Sequence, residues 1–153
     1  MGYAINTMAP SARMVDSATD CATGETYYDE LPTPWPPAPT LAQEQAAQLA
    51  TIAADFQAAA NANVTDASGN TWTGGEASAL GIYGAVQLAQ VGGESTVTLF
   101  DASNAPHTQT IAQGTAVAAV IGAAYQAAFA RYQGLKVAVE AATTVAAVQA
   151  IAW

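Results

Sequence analysis

Two side chains could supply nucleophilic or general-base chemistry: His107 and Cys21, the one histidine and the one cysteine of the chain. Any Ser–His–Asp or Cys–His arrangement would have to include His107. This residue follows Asn104-Ala-Pro106 on a predicted strand, so we interpret it as a surface strand residue. Cys21 lies among carboxylates, which is a poor setting for a reactive thiolate. The sequence therefore predicts no catalytic residue and favours a protein that is not an enzyme.

Carboxylates and glycine motifs also lack the features of a known site. Asp29 and Glu30 are adjacent, but they lie outside the predicted helices and strands, unlike the paired carboxylates of glycoside hydrolases. The segment Asp66-Ala-Ser-Gly-Asn70 alternates oxygen-bearing side chains as a calcium loop does, yet it lacks the closing glutamate, and we interpret it as a hairpin turn. The glycines of residues 73–84 lack the Lys-Ser/Thr of a phosphate loop. We expect neither a metal nor a cofactor.

Three aromatic residues near the N-terminus predict a binding site instead. Tyr27, Tyr28 and Trp35 lie in an acidic stretch that ends in a proline-rich run. Prolines at this density prevent helix formation and strand pairing. Aromatic residues with a polar edge are common interface anchors, so we predict that these three bind a partner. We expect residues 1–39 to form an extended arm, with residues 20–39 contacting another chain or the rest of the protein. The alternative is a flexible acidic leader.

Composition and charge exclude several partners. The net charge is −9, and the three basic residues are Arg13, Arg131 and Lys136. Binding to nucleic acid or to an anionic membrane surface requires a lysine- and arginine-rich face, which this chain cannot form. The longest apolar stretch, residues 116–130, is interrupted by Gln126 and is shorter than the roughly 20 residues that span a bilayer. It is therefore predicted to be a core helix, and we expect no membrane association.

Hydrophobic periodicity predicts an α+β fold beyond the arm. A connecting helix over residues 40–62 begins at a capping box formed by Thr40 and Gln43. A hairpin pairs residues 63–64 with 71–73, and a second capping box, Thr73 with Glu76, opens a helix that ends at Gly92-Gly93. Residues 95–100 and 107–111 form a second hairpin. Residues 63–153 thus make up one C-terminal domain.

Two further helices complete the predicted domain. The longer begins at Gly114 or Thr115, and the shorter restarts at Thr143 or Thr144. The longer helix has one apolar stripe at steps of three and four residues, which consists of Val117, Ile121, Tyr125, Ala128, Tyr132, Leu135 and Val139. Large apolar residues from both helices are expected to be buried together, and these are Ile121, Phe129, Leu135, Val148 and Trp153.

The order of these elements resembles that of a known domain. The resemblance covers residues 61–153, and it rests on the Val64-x7-Trp72 hairpin, the Ser78-Ala-Leu helix, the Thr/Val-rich strand pair, the long helix from Ala116 and the terminal Val145–Trp153 segment. These features are similar to an uncharacterised domain at the C-terminal end of many phage and prophage tail proteins, often called tail-fibre assembly proteins. The Tyr27-Tyr28 leader before the proline run is similar to the tyrosine-rich leader of the same proteins.

The resemblance implies a role in the phage virion. The expected function is a structural or assembly protein that binds the tail fibre, either as a chaperone retained in the tail or as a minor component of it. The implied partners are a tail-fibre or baseplate protein and further copies of the chain, and the implied location is the virion tail, with the host cytoplasm during assembly. The alternative function is a receptor-binding adhesin tip, in which exposed Trp35, Trp72 or Tyr83 would stack on host sugars.

Overall fold

The computed structural model describes residues 1–6, 11–33 and 38–153 and has an α+β fold. In chain order the strands are β1 (Gly2–Asn6), β2 (Ser11–Val15), β3 (Thr26–Tyr28), β4 (Val64–Thr65), β5 (Thr71–Trp72), β6 (Thr96–Phe100) and β7 (Pro106–Thr110). The helices are α1 (Leu41–Ala60), α2 (Glu76–Val91), α3 (Ile111–Ala141) and α4 (Val145–Gln149), and residues 18–20 form a 3-10 turn. The predicted α+β class is confirmed, with both predicted hairpins present as β4–β5 and β6–β7.

The N-terminal strands form an antiparallel sheet in the order β2-β1-β3. Tyr3 of β1 lies opposite Met14 of β2 on one side and Tyr28 of β3 on the other. The sequence prediction of an extended arm missed this sheet. Four of the five residues of β2 are exposed, so the strand lacks the apolar alternation by which an isolated strand is detected. Trp35 and the surrounding residues 34–37 lie outside the described residues.

Helix caps explain where the helices begin. The Gln43 amide donates to Thr40 Oγ1 and the Thr40 amide donates to Gln43 Oε1, which confirms the predicted capping box of α1. The same box, made by Thr110 and Gln113, starts α3 at Ile111 and thus earlier than predicted. The predicted box at Thr73 is wrong. There α2 begins directly after Gly75, whose φ of 100° is a conformation that glycine tolerates and other residues avoid.

The core is divided along α3. The predicted stripe is confirmed, since Val117, Ile121, Ala128 and Val139 are buried. The expected single cluster is wrong, because a helix of 31 residues is about 45 Å long and passes several partners in turn. Three buried clusters result, centred on Trp72 with Leu99, Val117 and Ile121, on Ile52 with Val139 and Val148, and on Phe56 with Ala60 and Ala128.

Members of the expected cluster are therefore separated. Ile121 belongs to the first cluster, Leu135 and Val148 to the second, and Trp153 packs against the third. Phe129 is 38% exposed and only borders the third cluster, where its ring lies 6.0 Å from the ring of Phe56.

Helix α3 is also long and apolar enough, by length and composition, to cross a membrane, and it is the one such helix among the described residues. A single helix of this kind is weak grounds for a membrane span, because core helices pass the same test. Here α1 and α2 both pack against α3, and its buried stripe contributes to all three clusters.

Candidate functional site

The predicted binding tyrosines lie on β3 but face opposite sides of the sheet, because neighbouring side chains alternate along a strand. Tyr27 is half-buried, and its ring covers Gly2, where a Cβ would lie 2.6 Å from the Tyr27 hydroxyl. Burial, followed by the nearby Asp29 carboxylate, raises the pKa of Tyr27. Tyr28 is 36% exposed. Tyr28 is therefore open to a partner, whereas Tyr27 is mainly part of the sheet.

Tyr28 belongs to a row of side chains that crosses all three strands. Directly paired residues of a sheet project from the same face, so Met14, Tyr3 and Tyr28 share one face. Met14 is 62% exposed. We call these three residues the Met–Tyr row. Sequence reasoning missed Tyr3 and Met14, because only the strand register brings them beside Tyr28.

A shallow cavity of about 340 Å³ adjoins the Met–Tyr row. Tyr3 and Met14 line one part of it, and Met1 and Leu31 add further apolar surface. The rest of its lining includes Asp29 and Glu30, so the surface combines large adaptable side chains with an acidic edge. Methionine and tyrosine are frequent in protein-binding surfaces, since methionine adjusts its shape and tyrosine combines an apolar ring with a hydroxyl.

An ion pair organises the opposite part of the N-terminal segment. The Arg13 guanidinium donates to both carboxylate oxygens of Glu25, at 2.7 and 3.2 Å, and to the Asp20 carbonyl at 2.7 Å. Glu25 also accepts from the Ala22 amide at 2.8 Å. The hydrogen bonds from Arg13 and Ala22 lower the pKa of Glu25. Cys21 lies within this loop and is a half-buried free thiol.

The other two cations are also engaged within the chain. The Arg131 guanidinium lies 4.9 Å from the centre of the Trp153 ring, and Lys136 Nζ lies 5.8 Å from the centre of the Tyr132 ring. All three basic residues thus have intramolecular partners, and the exposed charge of the protein comes mainly from carboxylates.

The β4–β5 and β6–β7 loops share one design, and the one histidine contacts the second of them. In the β4–β5 loop, Asp66 Oδ1 accepts from the amides of Ser68 and Asn70 at 2.8 and 3.0 Å. Its second oxygen accepts from Trp72 Nε1 at 2.8 Å. Trp72, which donates this last hydrogen bond, is fully buried.

The β6–β7 loop repeats this arrangement with a histidine in place of the tryptophan. Asp101 Oδ1 accepts from the amides of Ser103 and Ala105 at 2.8 and 2.9 Å, and its Oδ2 lies 2.9 Å from His107 Nε2. The two loops meet, since the Ala102 amide donates to the Thr71 carbonyl at 2.9 Å. The rings of Trp72 and His107 are 5.5 Å apart.

Backbone conformation completes the likeness of the two loops. The fourth loop residue has a positive φ in both, 87° at Gly69 and 64° at Asn104. Glycine and asparagine are the residues that adopt this conformation at the lowest cost. The sequence contains a signal for the paired design, because Asp-Ala-Ser occurs at residues 66–68 and again at 101–103. In each case the aspartate lies six residues before a side chain with a ring nitrogen, Trp72 or His107.

The hydrogen bonds of the two loops hold Trp72 and His107 in place. His107 lies on β7 as predicted, but it is half-buried against Trp72 rather than a simple surface residue. The Ser103 hydroxyl donates to Asp101 at 2.7 Å, so this hydroxyl is directed at the carboxylate and not at the imidazole. Within residues 1–6, 11–33 and 38–153, no three His, Cys, Asp or Glu side chains form a group that could hold a metal ion.

Hydrogen bonding sets the acidity of both loop carboxylates. The bonds from Ser103 and then His107 hold the pKa of Asp101 well below its usual range. Burial alone would raise the pKa of Asp66, but the hydrogen bonds from Trp72, Asn70 and Ser68 outweigh it, and the net shift is downward. Both carboxylates are therefore more stable as anions in the folded protein than in the unfolded chain.

This predicts that the stabilising effect of Asp101 depends on pH. Its folded pKa lies below the unfolded value of about 3.9, so its contribution is complete above that value and is lost as the pH falls further. We expect Asp101→Asn to lower the melting temperature at pH 7, with the gap from wild type narrowing as the pH falls from about 4 to 2. Melting curves of both proteins across this range provide the test. A gap that stays constant down to pH 2 would contradict the carboxylate's role.

The fold and site define a small α+β protein with a separate N-terminal sheet and a helical body. A family model described as "Domain of unknown function (DUF4376)" matches residues 43–152, so the chain belongs to this family. The matched region extends from α1 to the end of the chain and excludes the Met–Tyr row. Neither the curated proteins nor the solved structures yield a match.

Proposed function

We propose that this protein is a phage tail structural or assembly protein that binds the tail fibre, and that the Met–Tyr row is its contact surface. The resemblance of residues 61–153 to the C-terminal domain of phage tail proteins suggests the setting. The observation that carries the proposal is the partly exposed row formed by Met14, Tyr3 and Tyr28 on the N-terminal sheet.

The sheet offers a partner two kinds of contact. Side chains of the Met–Tyr row provide apolar area, and the carboxylates of Asp29 and Glu30 beside it favour a basic residue on the partner. β3 is an edge strand of the three-stranded sheet, so its outer backbone groups can pair with an added strand. An extended segment of a fibre protein that carries a large apolar residue and a lysine or arginine fits this surface.

The positions of the aromatic residues favour binding to a fibre protein over the recognition of host sugars. The adhesin alternative requires exposed rings that stack on sugars, but Trp72 is fully buried in the core. Tyr83 is exposed on α2, far along the chain from the acidic edge, and Trp35 lies outside the described residues.

The test uses a tail-fibre protein from the same phage as the binding partner. We expect Tyr28→Ala to weaken binding about 30-fold, because an interface anchor contributes roughly 2 kcal/mol and 1.4 kcal/mol corresponds to a tenfold change. Co-purification followed by titration calorimetry measures the effect. Phe100→Ala, which removes an exposed aromatic ring from the body, serves as the control and should bind as wild type does.

His107→Ala and Cys21→Ser separate binding from chemistry. Both variants should still co-purify with the fibre, since neither residue belongs to the Met–Tyr row. Normal binding by Tyr28→Ala, together with failed assembly in His107→Ala, would overturn the proposal and favour an enzyme.

A further inference from the structure

The outer face of α2 is apolar although it is directed away from the rest of the protein. Ala79 and Val86 are buried on the inner side of the helix. On the opposite side, Leu80, Leu88 and Val91 are 62%, 76% and 86% exposed. With 100° between successive residues of a helix, these three and Gly84 fall within one narrow face, which we call the α2 outer stripe. A large apolar face of a helix is normally covered by the rest of the protein or by a partner.

Glycine at position 84 has no explanation within the chain. A Cβ added there would meet no described atom within 4 Å, and the same is true of Gly81 one turn earlier. Glycine inside a helix is less stable than alanine, so neither residue benefits the isolated fold. Both would allow another backbone or a large side chain to approach the helix closely.

Charge favours a second copy as the occupant. The chain has a net charge of −9, so two copies repel each other wherever their carboxylates meet. Residues 77–93 contain no charged side chain, and this segment includes the whole α2 outer stripe. The centre of a contact between two copies would therefore hold no carboxylate, and Glu76 and Glu94 would lie only at its ends.

We propose that the α2 outer stripe binds a second copy of this chain, with the two α2 helices antiparallel and related by a two-fold axis that crosses the stripe midway between Gly84 and Leu88. In that arrangement Leu88 of one copy lies opposite Gly84 of the other, and Leu80 lies opposite Val91. Leu88 thus faces a glycine, and Leu80 faces an apolar residue of similar size. The two-fold axis repeats both contacts, as an interface between identical surfaces requires. This contact is independent of fibre binding, which uses the N-terminal sheet.

The exposed area is sufficient for a weak dimer. Burying the exposed parts of Leu80, Leu88 and Val91, with Tyr83 at the edge of the stripe, would remove on the order of 1,000 Å² from water in a dimer, the lower end of specific interfaces. We therefore expect dissociation in the micromolar range, about 1–100 μM.

Sedimentation equilibrium of the full chain tests the dimer, with no fibre protein present. Wild type should change from monomer to dimer as its concentration rises through the micromolar range. Leu88→Glu should weaken the dimer at least 100-fold, because two carboxylates would then enter the stripe. Val137→Glu, which places the same charge at an exposed apolar position of α3, should associate as wild type does. Circular dichroism checks that both variants fold.

Cross-linking tests the antiparallel geometry. Chains carrying Gly84→Cys and chains carrying Leu88→Cys, each with Cys21→Ser, are mixed and oxidised, and the mixed disulfide should form in preference to either symmetric one. A wild type that stays monomeric at all concentrations, or a dimer that persists in Leu88→Glu, would overturn the proposal. Failure of this test leaves the Tyr28 result unaffected, so the two proposals are separable.

Discussion

Trp72→Ala is expected to lower the free energy of unfolding by about 4 kcal/mol, within the range for removing a buried aromatic side chain. Trp72 is fully buried beside Leu99, Val117 and Ile121, so its removal leaves a cavity in the first core cluster. It also removes the hydrogen bond from Nε1 to Asp66. Urea unfolding followed by far-ultraviolet circular dichroism measures the change.

Trp72→Phe separates packing from hydrogen bonding. Phenylalanine retains most of the apolar ring but cannot donate to Asp66, so we expect a smaller loss, about 1–3 kcal/mol. If Trp72→Ala unfolded at the same urea concentration as wild type, the first cluster would not depend on this residue. Equal losses in the two variants would instead assign the whole effect to the hydrogen bond.

Gly74→Ala should cost about 3 kcal/mol, although it adds a single methyl group. A Cβ at this position would overlap the carbonyl group of Ala62, and a backbone atom cannot move aside as a side-chain tip can. Overpacking of this kind typically costs 1–3 kcal/mol and occasionally more. The same urea titration measures it.

Gly134→Ala is the matched control for the glycine substitution. Gly134 lies within α3, and a Cβ there would meet no described atom within 4 Å. Alanine is favoured over glycine inside a helix by roughly 0.5–1 kcal/mol, so this variant should be more stable than wild type. The two Gly→Ala changes should therefore have opposite signs, and a loss of stability in both would refute the steric explanation.

Local patterns predicted the body of the fold well. The stripe from Val117 to Val139, the cap at Thr40 and the glycine end of α2 depend on residues close in sequence, and all are present. What could not be predicted depends on long-range pairing. The three N-terminal strands become a sheet only through their register, and Tyr3 and Met14 join Tyr28 in the same way.

The paired aspartate loops fall between these cases. Each loop is local, and the repeated Asp-Ala-Ser was visible in the sequence. The contact between Trp72 and His107 was not, because it requires the two hairpins to meet in space. The core was misjudged for a similar reason, since one continuous stripe on α3 packs against different partners at different points along its length.

Thr110 is both the last residue of β7 and the N-cap of α3, and this dual position has a consequence for how the protein folds. The β6–β7 hairpin closes over a short loop, a process that takes about 1–10 μs in isolated hairpins. The first turn of a helix is the costly step in helix formation. Once the hairpin has formed, Thr110 is held in the extended conformation that its cap requires, so we expect the hairpin to act as the template on which α3 nucleates and from which it grows towards Ala141.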